Sequence, residues 1–374
     1  MSSTQMLTTN ANTVEQFSKK VFVEMFKPTS FTAMVMSDAI YQAPELTSSG
    51  KGDRITIPLV NILRGIGTSG TLIGKEEALD IESFQMTTGL FRHAVLNPNS
   101  DTIEQHRTNI DFARVSEKLI PEFHASRLDA SAFNAAAGIT STTITVDGVS
   151  YSGSNRLFVQ GLNTPTAPTT NRITRAGGRS TDQELTSSNT MTLDLVDDVL
   201  VSVQNTYPAI KPLKNGRYAL FMSHEQARDL QRDSSGQIQF YNLALAEIQG
   251  GKETIFNRKT ANGPDVPWGY YKNVDFYIST RVANGENSSS KAEITTVSRA
   301  VLMGENALVY GSTFGTINGT GNAGGVGTVP LRITSQLQDY GYYKGIEGRM
   351  LYGLAKPVQD GEDLGVHVIS TYAA

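Results

Sequence analysis

Gly65-Ile66-Gly67-Thr68-Ser69-Gly70 has the GxGxxG spacing. In a strand-turn-helix unit that spacing brings backbone close to a pyrophosphate and seats it on a helix N-terminus. The chemistry needs a helix opening at the third glycine and an acid about 20 residues on to hold the ribose. Thr71-Leu72-Ile73-Gly74 is a poor helix start, and Asp80 and Glu82 lie nearer than the ribose role expects. Glycines at a strand-to-strand tip need no ligand to explain them. Gly74-Lys75 is no phosphate loop either, because no glycine stands five residues earlier and Glu76 occupies the Ser/Thr position.

Other constellations fall short of chemistry as well. His93, His106, His124, His224 and His367 form no HExxH pair or other close metal-ligand spacing. Ser223 and His224, with Glu225 and Asp229 near, hold the residue types of a triad, yet they read more simply as a helix start. Asp360-Gly361-Glu362-Asp363 lacks the ligand pattern of a calcium loop and reads as a solvated turn. Arg172, Arg175 and Arg179 make a small basic run, suited to nucleic acid, a neighbouring subunit or plain solvent. The chain has no cysteine, so disulfides, thiolate nucleophiles and cysteine-ligated metals are excluded. No catalytic, cofactor-binding or metal-binding set is expected.

The elements around these residues are more telling. The 374 residues are 39% hydrophobic and 18% charged, enough for one large or two ordinary domains with a real core. Lys+Arg of 32 against Asp+Glu of 36 leaves a net charge of −4. That argues against a dedicated nucleic-acid binder, whose affinity comes largely from phosphate neutralisation, without forbidding a local basic face. Residues 1–12 are polar and lack a signal peptide's apolar core. No apolar run approaches the ~20 residues of a membrane span, so a soluble protein is expected.

Two strands with one apolar side each are predicted over 53–63 and 84–95. Ile55, Ile57, Leu59 and Leu63 share a face on the first; Phe84, Met86, Leu90 and Ala94 do so on the second. A glycine-rich, charged tip, residues 65–77, joins them. Pro58, which cannot donate to a ladder, suits an edge strand. Arms of roughly a dozen residues at ~3.3 Å each would reach about 40 Å. An isolated ribbon is marginal in water, so this one is expected to lie on another copy of the chain.

A long amphipathic helix is expected over 101–137, capped by Ser100 or Asp101. Its stripe is Phe112, Val115, Leu119, Phe123, Ala130, Phe133 and Ala137, and unbroken it would span about 55 Å. Pro121 predicts a kink or two abutting helices. Upstream, Val14, Phe17, Val21 and Met25 recur at helical spacing up to Pro28. Downstream, a hairpin over 143–151 is closed by Asp147-Gly148, followed by a polar surface loop over 163–189. Helices are expected over 193–205, from Ser223, and over 238–249. Strands are expected over 218–222, 274–280 and 300–303. A glycine-dense loop covers 311–327, and 331–337 and 350–372 read as extended. The alternation argues for a mixed α/β core carrying β excursions.

Several stretches then fall into a known order. They are Lys51-Gly52-Asp53-Arg54-Ile55-Thr56-Ile57-Pro58-Leu59, Gly74-Lys75-Glu76-Glu77-Ala78-Leu79, Arg92-His93-Ala94-Val95 and Glu104-Gln105-His106-Arg107. Gly216-Arg217-Tyr218-Ala219-Leu220-Phe221-Met222, Asp339-Tyr340-Gly341 and Leu364-Gly365-Val366 follow. In order and spacing, over nearly its whole length, the chain resembles the major capsid proteins of tailed bacteriophages, closest to a short-tailed-phage family. Their shell fold is shared with encapsulins.

The resemblance implies an α+β phage capsid shell fold. Its parts would be an N-terminal arm (1–48), an extended β-ribbon loop (49–97) and a peripheral domain with the spine helix and a β insertion (98–192). An axial α/β domain (193–328) and C-terminal strands returning to the peripheral domain (329–374) would complete it. Pro121 departs from an uninterrupted spine helix, and 139–190 and 311–327 receive no assignment. The implied function is structural, not enzymatic: self-assembly into hexamers and pentamers of an icosahedral shell enclosing double-stranded DNA. The location would be the virion, after assembly in the host cytoplasm.

Implied partners are further copies of the chain, a separate scaffolding protein, a portal, optionally a decoration protein, and DNA contacted non-specifically. No cofactor and no membrane are implied. Subunit contacts are expected at the tip, through Arg64, Lys75, Glu76 and Glu77, whose charges would fix register. In the arm they are expected through Phe17, Val21 and Met25. The alternatives are an encapsulin-like compartment shell and, in another class, a nucleotide-binding α/β enzyme using Gly65 to Gly70. A tail or fibre protein is disfavoured by the long helix and mixed texture.

Overall fold

The computed structural model describes residues 54–99, 102–107, 111–141, 165–233, 267–312 and 331–373, with shorter pieces within 30–43 and 143–163. The expected helix carrying Phe17, Val21 and Met25, the cap at Ser100 or Asp101, the helix over 238–249 and most of the glycine-dense loop lie outside the described residues.

In chain order, β1 (Ile40–Gln42) precedes the ribbon strands β2 (Arg54–Val60) and β3 (Ile81–Thr87). Next come β4 (Gly89–Pro98), the single turn α1 (Ile103–His106) and the long helix α2 (Phe112–Ala136). The hairpin β5 (Thr143–Val146) and β6 (Val149–Ser152) and the short β7 (Ile173–Arg175) lead to α3 (Leu193–Asn205), β8 (Tyr218–Met222) and α4 (His224–Arg232). Then follow β9 (Gly269–Tyr271), β10 (Val274–Ile278), β11 (Asn284–Glu286), β12 (Glu293–Met303) and β13 (Leu308–Ser312). The chain ends with β14 (Arg332–Gln338), β15 (Tyr343–Ala355), β16 (Val358–Gln359), β17 (Glu362–Asp363) and β18 (Val366–Tyr372).

Two sheets organise these elements. The five-stranded sheet runs β1-β13-β15-β14, with β4 also paired to β15. The seven-stranded sheet runs β7-β18-β12-β8-β10-β9, with β11 paired to β12. In the second sheet both faces are apolar, so β8 is buried at every position. Leu220, Met222, Phe276, Ala300, Leu302 and Ile369 pack with Leu193, Val196, Leu200 and Val203 of α3. The alternate residues Ala219, Phe221, Val301, Met303 and Val368 share a core with Phe133 of α2 and with the first sheet. Period-two alternation therefore joins the two sheets through one helix.

That helix differs from expectation in its start and in the first half of its stripe, while Ala130, Phe133 and Ala137 are buried as expected. It begins at Phe112, with Asp111 as N-cap accepting from Arg114 N–H at 3.1 Å, so 101–137 is not one helix and α1 stands before it. Its 25 residues span about 37 Å at 1.5 Å each. It runs through Pro121 as one helix. The row that faces the sheet is Ser116, Ile120 and His124, all buried, while Phe112, Val115, Leu119 and Phe123 are only half-buried. Two of the buried three are polar, which hid the row from a hydrophobic pattern. Ser116 Oγ accepts from Asn97 Nδ2 at 2.9 Å.

The stretch over 165–189 carries a strand and buried side chains and is not a plain surface loop. β7 pairs in parallel with β18, and Arg172 is fully buried with its guanidinium on the Pro208 carbonyl. The basic run is therefore no phosphate-facing patch; of its members, only Arg179 is exposed. Asp182, fully enclosed, receives Arg175 Nε at 2.7 Å and Arg299 Nη2 at 2.7 Å. Burial alone would raise its carboxyl, but the two guanidinium groups and the Glu286 N–H hold it below the usual range. Arg299 also donates to the Ala137 carbonyl at 3.2 Å, tying down the end of α2.

Candidate assembly surface

The ribbon forms because its two strands alternate in the same phase. Ile55 opposes Met86 and Ile57 opposes Phe84, and this apolar side packs on Ala43, Val309 and Ala355. The expected second arm is two strands in different sheets. β3 stops at Thr87, which Asn163 clamps: Thr87 N–H donates to Asn163 Oδ1 at 2.9 Å and Asn163 Nδ2 donates to the Thr87 carbonyl at 2.9 Å. β4 then pairs with β15. At this break the apolar phase moves from Phe84 and Met86 to Phe91 and Val95, which face α2, leaving Leu90 56% exposed and Ala94 exposed. Ladders of 7 residues reach about 23 Å, not 40 Å.

Beyond the ladder the chain continues as an irregular tip. Glu77 closes it, accepting from the N–H groups of Arg64 at 2.6 Å and Gly65 at 2.7 Å. Glu76 Oε2 accepts from Gly74 N–H at 2.7 Å. Gly67 and Gly74 have φ of +75° and +80°, so the glycines serve left-handed backbone. No helix follows Gly70, and a pyrophosphate has no seat there. Lys75, Glu76 and Glu77 are exposed as expected. So are Ile62 (61%), Leu63 (64%), Ile66 (104%), Leu72 (63%) and Ile73 (85%).

Arg64 also makes contacts within its own chain. Its guanidinium binds Asp360 of its own chain and lies 4.5 Å from the Tyr207 ring centre. It belongs to a polar latch at the ribbon root. Asn61 Nδ2 donates to Asp80 Oδ2 at 2.7 Å, Gln359 Nε2 to Asn61 Oδ1 at 2.8 Å and Asp360 N–H to Glu82 Oε2 at 3.0 Å. The acidic turn is thus the ribbon's anchor and not free solvated chain. Asp360 and Gly361, at φ +53° and +76°, make the tight hairpin turn between β16 and β17. Behind it, Lys356 Nζ meets Asp363 Oδ2 at 2.7 Å, both side chains buried. Burial lowers the lysine and raises the carboxyl.

His93, His124, His367 and Ser223 hold packing, hydrogen-bonding or capping positions. His124 and His367 are held to about 4 and about 3 by burial, and His367 Nε2 meets Thr174 Oγ1 at 2.8 Å. His93 stacks on Phe123 at 4.1 Å. Ser223 caps α4 in a reciprocal capping box with Gln226, so the Ser223–His224 pair starts a helix. Among the described residues no cluster of three or more His, Cys, Asp or Glu could hold a metal. A pocket of about 130 Å³ is lined by Arg175, Asp182, Glu286, Lys291 and Arg299. Its charges pair with one another. Sequence reading missed Asn163, Asp182, Arg299 and Lys356, and took Asp360 for a solvated turn; their partners are mostly distant in the chain and carry no local pattern.

The comparisons with known proteins agree with this architecture. The family described as phage capsid protein matches residues 6–374. No curated protein matches the chain. Among solved structures, the capsid of Ralstonia phage GP4 is 19% identical, with 100% of this chain and 99% of that chain covered and a TM-score of 0.74. The Cyanophage Pam1 capsid asymmetric unit is 17% identical, with full coverage of both chains and a TM-score of 0.67. The head structure of Helicobacter pylori bacteriophage KHP40 is 12% identical, with 99% and 100% covered and a TM-score of 0.63. At these identities the likeness to solved structures is one of fold. The match across nearly the whole chain decides the matter: this chain belongs to the phage capsid protein family and is a structural major capsid protein.

Proposed function

We propose that copies of this chain assemble into hexamers and pentamers of an icosahedral shell around double-stranded DNA, each ribbon burying its tip on a neighbouring copy. The observation that carries this reading is the tip, where Ile62, Leu63, Ile66, Leu72 and Ile73 stand 61–104% exposed beyond an anchored root. Large exposed apolar side chains gathered in one short segment support an interaction site. In this reading 1–48 is the arm, 49–97 the extended loop, 98–192 the peripheral domain and 193–328 the axial domain, with 329–374 supplying the C-terminal strands. The five-stranded sheet and α2 then belong to the peripheral part. The seven-stranded sheet with α3 and α4 belongs to the axial part, which β18 enters from the C-terminal segment.

Phe17, Val21 and Met25 of the arm supply a second contact between copies. A separate scaffolding protein and a portal take part in assembly, with a decoration protein as an optional addition. Assembly takes place in the host cytoplasm, the product resides in the virion, and DNA is contacted without sequence preference. The work of the chain is structural and not catalytic. Expression followed by negative-stain microscopy tests the reading: closed particles are expected. Reversing Glu76 and Glu77 to Lys should abolish them while the monomer stays folded; normal particles from that variant would refute the role of the tip. DNA, and not a cargo enzyme, inside native particles separates this reading from an encapsulin-like compartment.

A further inference from the structure

The stretch over 165–189 and the turn between β11 and β12 meet at the end of α2 and enclose a pocket of about 130 Å³. Its walls are fixed. Gln183 Nε2 donates to Ser288 Oγ at 3.0 Å, and Ser288 N–H donates back to Gln183 Oε1 at 3.0 Å. Within the turn, Asn287 Oδ1 accepts from the N–H groups of Ser289 and Ser290, each at 3.0 Å. At the back, a Cβ on Gly138 would stand 2.6 Å from Pro168 Cδ. The volume exceeds what a single water needs.

The charges that line this pocket do not cancel. Three cations, Arg175, Lys291 and Arg299, meet two carboxylates, Asp182 and Glu286, a surplus of one positive charge. Each carboxylate oxygen already holds a donor. Asp182 Oδ1 accepts from Arg175 Nε at 2.7 Å, and its Oδ2 accepts from Arg299 Nε at 2.8 Å and Glu286 N–H at 3.1 Å. Glu286 Oε2 accepts from Thr140 N–H at 2.7 Å, and its Oε1 accepts from Thr140 Oγ1. Donors are what remain. Arg175 spends only Nε on Asp182, which leaves the far edge of its guanidinium to the pocket. Lys291 Nζ stands 3.4 Å from Glu286, a long contact, and its side chain is 46% exposed. Ser180, also exposed, lines the same pocket.

We infer that this pocket binds one tetrahedral oxyanion of the phosphate class, held by the free edge of Arg175, the Lys291 ammonium and the Ser180 hydroxyl. A guanidinium edge presents paired N–H groups that match phosphate oxygens, and an ammonium adds a compact point charge. A metal cation is disfavoured by the positive surplus and by carboxylates already committed to donors. The surplus holds at neutral pH: burial raises the Asp182 carboxyl, but Arg299 and Arg175 outweigh it and keep the group ionised. A bound oxyanion joins the 165–189 stretch to the β11–β12 turn. This chemistry has two sources, the free ion and the DNA backbone. The inference is independent of the shell reading.

Thermal melts and titration calorimetry of the full-length chain test it, with inorganic phosphate compared against chloride at equal ionic strength. Phosphate should raise the melting midpoint by about 2 °C or more over chloride, as expected of a ligand that binds only the folded chain. Lys291→Gln, at an exposed position, should melt like wild type in chloride and bind phosphate about tenfold more weakly, the worth of one charge-assisted contact. Arg175→Lys keeps a cation for Asp182 but loses the guanidinium edge, and should lose the phosphate response. No rise over chloride in wild type overturns the site, and so does an equal rise in wild type and Lys291→Gln. A short DNA duplex that displaces phosphate assigns the backbone as the source, and one that does not assigns the free ion; either supports the site.

Discussion

At the scale of single residues, the fold depends on buried charges and rings. Lys356 and Asp363 are each offset chiefly by the other, 2.7 Å apart, with the Arg172 cation near. Removing one partner of a buried pair leaves an uncompensated charge and costs about 3–5 kcal/mol. Asp363→Ala should therefore lower the unfolding free energy by an amount of that order, read from the shift of the denaturant midpoint, and an unchanged midpoint would refute the role. His124 gives a pH signature. Burial depresses its ring to about 4 in the fold, against about 6.5 unfolded. Between those values the unfolded chain binds more protons, so stability falls as pH drops from about 6.5 to 4. The share of His124 is about 3 kcal/mol lost at pH 4 relative to pH 7. Urea melts of His124→Gln across that range should show a shallower slope; the same slope as wild type would exclude His124 as its source.

At the scale of elements, the governing contact is α2 on β15. Gly348 is where they meet most closely, since a Cβ there would stand 2.3 Å from Ile120 Cγ2 and 2.7 Å from His124 Nε2. Gly348→Ala should push helix from sheet and cost about 1–3 kcal/mol, the range for overpacking a core, read as a lower thermal midpoint. Pro121 is tolerated because Glu117, whose carbonyl it leaves without a helix donor, lies on the exposed side, where water can reach it. Elements with a strong pattern and a local cap were legible in sequence. α3 begins and ends at Leu193 and Asn205 as expected, with Thr192 Oγ1 accepting from Leu195 N–H at 3.3 Å. β8 likewise matches its apolar run. The ribbon's second arm was misjudged because one residue of slip at Thr88 changes which side chains face inward, and alternation alone does not announce a change of sheet.

At the scale of the whole molecule, the ribbon is a lever with a fixed root and an open tip. The root is held by contacts spanning up to 299 positions of sequence, from Val60 to Gln359. Arg64→Ala should leave the melting curve within about 0.5 kcal/mol of wild type, as for an exposed side chain, yet lower the yield of closed particles by loosening the ribbon's angle. Equal yields from Arg64→Ala and wild type would show that the latch does not set it.

The sequence by itself determined the strand pair, the long helix, the absence of thiol chemistry, and the resemblance that placed the chain among phage capsid proteins. These are local patterns or ordered motifs, readable without knowing what touches what. Tertiary structure alone decided that the ribbon ladder is shorter than its apolar pattern, that Arg64 pairs with Asp360 of its own chain, and that Arg172 is core. Each of those depends on which distant segments pair, and a side chain's surroundings are set by register across strands, not by its neighbours in the chain.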